Sequence, residues 1–356
     1  MTKRIESDAG ISNDKWPEEG LVRIEECPIC NCSERVLLYS ECTDVTFGIA
    51  PGRWTVWSCS RCGTAWLDPM PSPDKIGLAY TEYYTHGTAD HPIVRRIGKM
   101  RSFVHDLVEG YAASRYSAQS DHASSLGRWL IPLIPSVRSA VDVEFRHLAK
   151  APTGGRLLDV GCGNGAFLER AEQLGWDAVG LEPDRKAFSV AQGRDLQVQC
   201  GGFEILDREP AEQYDVITLS HVIEHVHDPK RLLGSAHRLL RPGGRVWLET
   251  PNLNSLGHRK FGRSWRGLEV PRHLVLFNCL TLREILRNSG FCNVSQMWRG
   301  LVLFSIYAES DAISRDVDPR GASRKGHPPL LECLDELREM VRPERREFLT
   351  FTATKC

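Results

Sequence analysis

Short apolar runs alternate with amphipathic stretches through the middle of the chain. The four runs of strand type are 156–160, 178–182, 214–219 and 244–250. A helical pattern runs from Ala166 to about Leu174, and another covers Thr281–Ser289. Because strands of this length alternate with helices, we predict a doubly wound, parallel α/β sheet. Two later apolar runs, Cys292–Trp298 and Leu301–Tyr307, predict a terminal pair of strands.

The segment 93–150 has a different pattern, with apolar residues recurring every three or four positions. The residues that keep this spacing are Ile93, Ile97, Met100, Val104, Leu107 and Tyr111. A second piece, Leu126–Val137, is interrupted by prolines and carries Trp129, and the segment holds nine Lys/Arg against five Asp/Glu. A helical cap on the main domain explains this pattern, and so does a basic helix that lies on a membrane. Peripheral membrane contact is therefore the alternative interpretation of this segment.

Residues 311–356 carry nine Lys/Arg and nine Asp/Glu, and we interpret them as a charged tail. Within the tail, Leu330–Val341 is predicted to be a helix, because Leu330, Leu334, Leu337 and Val341 share one face. The predicted units are 1–92 (a cysteine-rich unit with a Tyr-rich joint), 93–150 (the helical cap), 151–310 (the α/β domain) and 311–356 (the tail).

Composition narrows the possible functions. The chain has 356 residues and a net charge of −1, so no global positive field recruits nucleic acid. No stretch approaches the roughly 20 apolar residues of a membrane span, and the N-terminus lacks a signal-peptide core. We therefore expect a cytoplasmic protein. The sequence makes no prediction of its oligomeric state. In such a protein the twelve cysteines are expected to be metal ligands or buried thiols rather than disulfides.

Four of the cysteines form two C-x-x-C pairs. They are Cys27, Cys30, Cys59 and Cys62. Thiolates at this spacing make a tetrahedral cage for zinc, and the strand-like runs Arg35–Tyr39 and Trp54–Ser58 between the pairs are typical of a zinc ribbon. Four protein ligands leave no open position, so the predicted zinc is structural. A redox pair is the competing interpretation, and Cys32 and Cys42 are possible substitute ligands.

A glycine-rich turn, Gly161-Cys162-Gly163-Asn164-Gly165, follows the first strand of the predicted sheet. Glycines let the backbone approach a nucleoside, and Glu182 at the end of the next strand can hold two ribose hydroxyls. The dinucleotide turn GxGxxG/A has the same spacing. Asp159 at the mouth of the turn opposes a pyrophosphate, which needs positive potential, and favours a ligand with ammonium and sulfonium groups. S-adenosylmethionine is such a ligand.

The motifs around this turn resemble those of the class I S-adenosylmethionine-dependent methyltransferases. LLDVGCGNGAF resembles their first motif, VGLEPD their second, YDVITLS their fourth strand and LLRPGGRVWLETPN their fifth-strand region. The resemblance implies a Rossmann-like sheet of seven strands, the last inserted antiparallel. It also implies a set of cofactor contacts, in which the usual acid directly after Gly202 is absent. The implied contacts are Asp159, Gly161, Gly163, Asn164, Glu182, Phe203, Ser220 and His221.

A zinc ribbon followed by the Tyr cluster 80–84 resembles a subgroup of methyltransferases. This subgroup includes sugar C-methyltransferases and enzymes of surface-polysaccharide clusters. In those relatives a tyrosine here can line the active site, which makes Tyr84 a candidate substrate contact. Packing of the ribbon on the main domain is an equally good interpretation of Tyr84.

The fourth strand ends at Ser220, so it delivers His221 to the edge of the sheet where ligands bind. Methyl transfer needs an aligned acceptor and the loss of its proton, which a histidine accepts near neutral pH. We predict His221 as general base, His225 as the second candidate and Glu224 as the residue that orients them. Roles in packing and helix capping are the alternative. The order H-x-x-E-H is not the metalloprotease H-E-x-x-H, and a second metal is not predicted.

The segment after the fifth strand, Leu253–Phe277, is long and rich in Arg, Lys and His. Loops of this length tend to be functional. We predict a lid in which Trp265 and Arg272 hold an anionic or sugar substrate by stacking and charge, with His273 as a third candidate base. A basic surface loop without such a role is the alternative.

The residues after the fourth strand do not match the Asn/Asp-Pro-Pro-Tyr/Phe motif of nucleobase methyltransferases, which argues against nucleic acid as substrate. We predict methyl transfer to a hydroxyl of a small molecule or glycan, with a sugar-ring carbon as the second possible acceptor. Two other classes remain as rivals. One is an NAD-dependent oxidoreductase, which Asp159 disfavours, and the other is a non-catalytic zinc-ribbon scaffold that binds S-adenosylmethionine.

Overall fold

The computed structural model describes residues 15–81, 101–118, 123–320, 322 and 329–356. The predictions for Tyr84, Ile93, Ile97 and Met100 lie outside the described residues. Within these ranges, no helix combines the length and the apolar character needed to cross a membrane.

Thirteen strands and ten α-helices make up the described chain. The strands are β1 (Leu21–Val22), β2 (Arg35–Cys42), β3 (Trp54–Cys59), β4 (Ala65–Leu67), β5 (Met70–Pro71), β6 (Arg156–Val160), β7 (Asp177–Glu182), β8 (Gln197–Cys200), β9 (Tyr214–Ser220), β10 (Leu240–Pro251), β11 (Val275–Leu276), β12 (Phe291–Met297) and β13 (Phe348–Lys355). The helices are α1 (Arg101–Tyr116), α2 (Gly127–Leu130), α3 (Pro135–Glu144), α4 (Ala166–Gln173), α5 (Arg185–Gln192), α6 (Pro229–Leu239), α7 (Leu256–Phe261), α8 (Cys279–Asn288), α9 (Val302–Ser314) and α10 (Leu330–Val341).

A seven-stranded sheet has the order β12-β13-β10-β9-β6-β7-β8. Strands β6, β7, β8, β9 and β10 are parallel, and β13 lies antiparallel between β10 and β12. Both faces of the sheet are covered, so the run Leu157–Val160 is buried without alternation. The four predicted strands, the count of seven and the antiparallel insertion are confirmed.

The last strand of the sheet is not where the sequence pattern puts it. Leu301–Tyr307 was predicted to be a strand, but it belongs to helix α9, where Leu303, Ile306 and Tyr307 are buried at helical spacing. The seventh strand is β13, which lies in the segment predicted to be a tail. Its buried Leu349, Phe351 and Ala353 alternate along the strand, so the α/β domain continues past residue 310.

The predicted helical cap packs on one face of the sheet. Leu107 and Tyr111 of α1, with Val141 of α3, share a buried cluster with Leu157 of β6 and Phe167 of α4. The described part of the cap is thus anchored to the core through one side.

The cysteine-rich unit forms a second, four-stranded sheet in the order β11-β4-β3-β2. The predicted runs Arg35–Tyr39 and Trp54–Ser58 lie in β2 and β3, as expected for a ribbon. Strand β11 comes from the long segment after β10 and pairs antiparallel with β4. The ribbon and the α/β domain therefore share a sheet.

The expectation that the cysteines form no disulfides is wrong for one pair. A disulfide joins Cys292 of β12 to Cys356, which directly follows β13. The pairing of Phe291 with Lys355 brings these positions together, with their Cα atoms 6.0 Å apart. The other cysteines that the structure describes are free thiols.

Candidate functional site

The four thiols of the C-x-x-C pairs converge. The Sγ–Sγ distance is 3.6 Å between Cys27 and Cys62 and 3.4 Å between Cys30 and Cys59, and all four sulfurs lie within 4.8 Å of one another. A tetrahedral zinc with bonds of about 2.3 Å would separate its sulfurs by about 3.8 Å. The donor set therefore fits a structural zinc.

Each cysteine pair sits on a knuckle of the same geometry. Asn31 and Gly63 follow the second cysteine of their pairs, and their N–H groups donate to the carbonyl of the first cysteine at 2.9 and 3.0 Å. Both residues are left-handed, with φ of +56° and +69°, a region that glycine and asparagine tolerate. The possible substitutes Cys32 and Cys42 lie outside the group of four, near backbone carbonyls.

The glycine-rich turn joins β6 to α4. Gly161 and Gly163 are left-handed, with φ of +69° and +58°. A Cβ on Gly161 would lie 2.7 Å from Val222, whereas a Cβ on Gly163 would have no described atom within 4 Å. The turn therefore packs on the segment after β9 and borders open space at Gly163.

Glu182, the last residue of β7, closes the turn. Its Oε2 accepts a hydrogen bond from the Gly163 N–H and its Oε1 accepts one from the Asp184 N–H, both at 2.8 Å. Burial raises the pKa of the Glu182 carboxyl, and the two backbone donors oppose the rise. The carboxylate thus lies at the turn, as predicted for a residue that binds ribose.

Asp159 lies beneath the turn rather than at its mouth. Its side chain is fully buried, and its Oδ1 accepts hydrogen bonds from Thr218 Oγ1, at 2.8 Å, and from the Arg146 guanidinium. Burial raises the pKa of Asp159, and Arg146 opposes the rise. Because Arg146 balances its charge, Asp159 is a weaker argument against a pyrophosphate than the sequence suggests.

The other predicted cofactor contacts lie at the same carboxyl edge of the sheet. Phe203 is buried at the start of a short 3-10 helix after β8, and Ser220 ends β9. Asn164 Oδ1 accepts a hydrogen bond from the Ala166 N–H at 3.2 Å. The edge thus gathers the residues that the motifs predict.

His221 lies between two buried carboxylates. Its Nδ1 is 3.2 Å from Glu224 Oε1 and its Nε2 is 3.4 Å from Glu249 Oε1. Burial of the ring opposes its charge, but hydrogen bonds to Glu224 and Glu249 outweigh burial and raise the pKa of His221 to about 9. The imidazole is therefore protonated at neutral pH, and this disfavours its predicted role as proton acceptor.

A second group of side chains surrounds His225. Its Nδ1 is 2.9 Å from the Tyr80 hydroxyl and 3.0 Å from the Arg272 carbonyl oxygen. The ring of His273 packs edge-on at a centroid distance of 4.8 Å, and its Nδ1 lies 2.8 Å from the Gly267 carbonyl. Burial lowers the pKa of His273 to about 4, so this ring is neutral at pH 7. Two imidazoles and a phenol therefore meet here, and the imidazole of His273 is neutral.

Glu224 approaches the same pair of histidines. Glu224, His225 and His273 each offer one ligand atom, and these atoms lie within 4.8 Å of one another. Oε2 of Glu224 is buried and has no hydrogen-bond partner among the described residues. Two imidazoles and a carboxylate suit proton transfer, and they are also a donor set that divalent cations accept.

The long segment after β10 is not an open basic lid. Arg272 is fully buried, and its guanidinium donates to Asp44 at 3.0 Å and to Glu269 at 3.1 Å. Trp265 is also buried, and its Nε1 donates to Glu347 at 3.1 Å. The structure does not support their predicted contact with substrate, because both side chains are engaged and shielded from solvent.

Comparison with known proteins places the α/β core in a family. Residues 138–296 match the family model described as "Methyltransferase domain". The ubiquinone biosynthesis O-methyltransferase of Bordetella avium is 35% identical over 116 residues, which are 31% of this chain and 48% of that protein. The protein of the same name from Aeromonas salmonicida is 37% identical over 107 residues, 28% of this chain and 45% of that protein. Residues 138–296 form a methyltransferase domain.

The chain spans about half the length of the curated relatives that it matches. Among solved structures, the SAM-dependent methyltransferase from Archaeoglobus fulgidus is similar at 21% identity and a TM-score of 0.43, over 64% of this chain and 96% of that one. The matched part of the methyltransferase domain excludes the ribbon and β13.

The methyltransferase domain fits its cofactor at the glycine turn. Gly163 borders open space beside the Glu182 carboxylate, and Asp159 has a buried Oδ2 without a hydrogen-bond partner among the described residues. Glu182 and the turn 161–165 would hold S-adenosylmethionine, which supplies an activated methyl group when bound. Arg146, which balances Asp159, was missed at the sequence level because an arginine before the first strand carries no motif.

Proposed function

We propose that this protein transfers the methyl group of S-adenosylmethionine to a hydroxyl of a small molecule or glycan, and that His225 accepts the hydroxyl proton. The observation that carries the proposal is the group of Tyr80, His225 and His273 beyond the carboxyl end of β9. The printed names of the curated relatives are O-methyltransferases, which supports an oxygen acceptor.

The location of this group supports a role in catalysis. Ligands bind beyond the carboxyl ends of the strands in open α/β sheets. Val222 packs on Gly161, so the segment that carries His225 lies against the cofactor turn. An acceptor bound next to His225 is therefore close to the methyl group.

The hydrogen bonds of His225 suit a general base. When Nδ1–H donates to the Arg272 carbonyl, Nε2 keeps its lone pair and can accept a proton. Bound S-adenosylmethionine would supply a methyl group already activated by its sulfonium, and Nε2 of His225 would take the proton that the acceptor hydroxyl loses on methylation. The buried Glu224 carboxylate nearby stabilises the imidazolium that forms.

His221 has a different role in this proposal. Its charge balances Glu224 and Glu249, and this fixes the carboxylates at the edge of the sheet. The zinc ribbon has a structural role, since four thiolates leave no open coordination position.

The test has two steps, binding and transfer. Calorimetry should detect S-adenosylmethionine binding to the wild type and a clear loss of affinity in Glu182→Gln. Transfer of a radioactive methyl group is then followed with a catechol and a nucleotide-linked sugar as acceptors. His225→Gln should lower kcat by about 10²- to 10⁴-fold without weakening cofactor binding.

His221→Gln is the matched control for His225→Gln, and we expect it to lose less activity. A larger loss in His221→Gln would return the role of base to His221. Carbon NMR of the product distinguishes a methoxy group from a C-methyl group, and a C-methyl product would replace the hydroxyl acceptor by a sugar carbon. Absence of cofactor binding in the wild type would contradict the whole proposal.

A further inference from the structure

The acidic side of helix α10 faces the interior of the protein. Glu332, Glu336 and Glu339 are buried, and the last two are held by the N–H groups of Leu301 and Glu347, at 2.8 and 2.6 Å. These bonds fix the rotation of the helix about its axis. The large apolar residues of α10 therefore face solvent, and they are Leu330, Leu331, Leu334, Leu337, Met340 and Val341.

A second exposed apolar stretch lies within the cap, at residues 126–134. Its exposed residues are Leu126, Trp129, Leu130, Leu133 and Ile134, with Trp129 at 66% and Leu133 at 76% exposure. The segment 123–141 contains no acidic residue, and its two arginines, Arg128 and Arg138, are exposed. The Arg128 guanidinium lies over the Trp129 ring at 4.9 Å.

The segment 299–301 links α10 to α3, which directly follows the stretch 126–134. The Gly300 N–H donates to Ser139 Oγ in α3 at 2.7 Å, and the next residue, Leu301, donates to Glu336 in α10 at 2.8 Å. The preceding residue, Arg299, pairs with Glu249, which flanks His221. The link between the two stretches therefore reaches the carboxyl edge of the sheet through Arg299. We name the exposed apolar residues of 126–134 and of α10 the apolar face.

We propose that the apolar face docks on a lipid bilayer with anionic head groups. Exposed apolar areas of this extent mark interaction sites rather than ordinary surface. Arginines border the apolar side chains in both stretches, at Arg128, Arg138 and Arg342. Three acids of α10 are buried, and the fourth, Asp335, accepts from the Tyr307 hydroxyl at 3.0 Å and pairs with Arg338. Glu344 is the one exposed acid of 126–141 and 330–346, and apolar residues beside an excess of cations are the composition of interfacial elements on anionic membranes.

The same charges argue against a second copy of this chain as the occupant. In a symmetric dimer each face meets its own copy. The arginines of one face would then oppose those of the other, and they outnumber the one exposed acid there, Glu344. An anionic bilayer balances them directly, and it accepts the leucines and Trp129 at the same time.

The test is co-sedimentation of the full chain with sucrose-loaded vesicles. Vesicles of phosphatidylcholine with phosphatidylglycerol should bind the wild type, and vesicles of phosphatidylcholine alone should bind it at least about tenfold more weakly. The double variants Trp129→Ser with Leu133→Ser and Leu331→Ser with Leu334→Ser should each lower binding about tenfold. Circular dichroism checks that these surface variants fold.

Matched control variants use exposed apolar residues outside the face. Leu280, at 71% exposure, and Val317, at 58%, serve this purpose, and the double change of both to serine should leave vesicle binding unchanged. The change of Arg128 and Arg138 to Gln should weaken binding to the anionic vesicles only. Equal binding of the wild type and the serine variants would overturn the proposal. A dimer in sedimentation equilibrium that the same variants dissociate, without vesicle binding, would overturn it in favour of a second copy.

Discussion

Two regions of this protein bury charges, and they differ in how completely the charges are paired. At the junction of ribbon and loop, Arg272 is bonded to Asp44 and Glu269, and it stacks 4.3 Å from the ring centre of Phe47. At the carboxyl edge of the sheet, Glu224 Oε2 is buried without a hydrogen-bond partner among the described residues.

The difference separates structural from functional polar groups. Burial alone would raise the pKa of Glu269, but Arg266 and Arg272 hold it well below its usual range, so the junction is a closed ionic network. A closed network has no capacity left for a ligand, whereas an incomplete one can gain a partner when a ligand arrives. Sequence reasoning placed both residues in the site, with Arg272 as a substrate contact and His225 as a candidate base.

The largest effect is expected at the junction. Arg272→Met would leave Asp44 and Glu269 without their buried cation, and we expect the free energy of unfolding to fall by about 3–5 kcal/mol. Urea unfolding measures the change. Arg259 is exposed, and Arg259→Met should change the free energy of unfolding by less than about 0.5 kcal/mol. A similarly small change for Arg272→Met would contradict the proposed difference in charge pairing between the two regions.

His273 lies between the two regions, and its pKa is lowered to about 4 from an ordinary 6.5. The folded state binds fewer protons on this ring than the unfolded state, so its contribution is complete above pH 6.5. We expect a loss of up to about 3 kcal/mol as the pH falls from 6.5 to 4. Urea unfolding at a series of pH values, for the wild type and for His273→Asn, measures this loss of unfolding free energy. If the two proteins lost stability in parallel as the pH falls, a lowered pKa of His273 would be contradicted.

At the carboxyl edge, Glu224→Gln should affect activity more than stability. The change keeps the shape of the side chain and removes a partly paired charge, so unfolding should shift by less than about 1.5 kcal/mol. Methyl transfer should fall about 100-fold, because the imidazolium of His225 loses its nearby carboxylate. Asp44→Asn is the matched change at the junction, and we expect a large loss of stability there instead.

The smallest effect concerns His221, because 34% of its side chain is exposed and solvent there screens its charge. Because its pKa is raised to about 9, its contribution to stability is complete below pH 6.5 and is lost as the pH rises to 9. Proton NMR should show the His221 ring titrating near pH 9 in the wild type and at lower pH in Glu249→Gln. A midpoint near 6.5 in the wild type would return His221 to the role of general base.

Local patterns were sufficient to predict most of the fold. The strands around Leu158 and Ile217 are continuous apolar runs, and the glycines 161 and 163 mark the turn between strand and helix. The run around Ile306 failed because a short apolar run fits a strand or a buried helix, and only its packing decides. Strand β13 was missed because it lies far along the chain from its partner β10.

The candidate site was only partly predictable, for a related reason. His225 and Glu224 were found because they directly follow a recognisable strand. Tyr80 and Arg146 come from distant segments, and no local pattern indicates that Tyr80 reaches His225 or that Arg146 reaches Asp159. The pKa values of His221 and His273 also depend on burial and on charged partners such as Glu249 and Glu269, so the candidate bases could be ranked only from the structure.

Strand β11 comes from the long segment after β10 and completes the sheet of the ribbon. This pairing limits how the protein can be truncated for experiments. Leu274 donates its N–H to the Glu224 carbonyl and accepts a bond from the Leu67 N–H in β4. A shortened chain that begins after the ribbon would expose the edge of β11 and the apolar side chains packed beneath it, and such edges invite aggregation. The segment 138–296 is thus a unit of sequence similarity but not a unit of folding, and deletions should be designed around the joined pair of sheets.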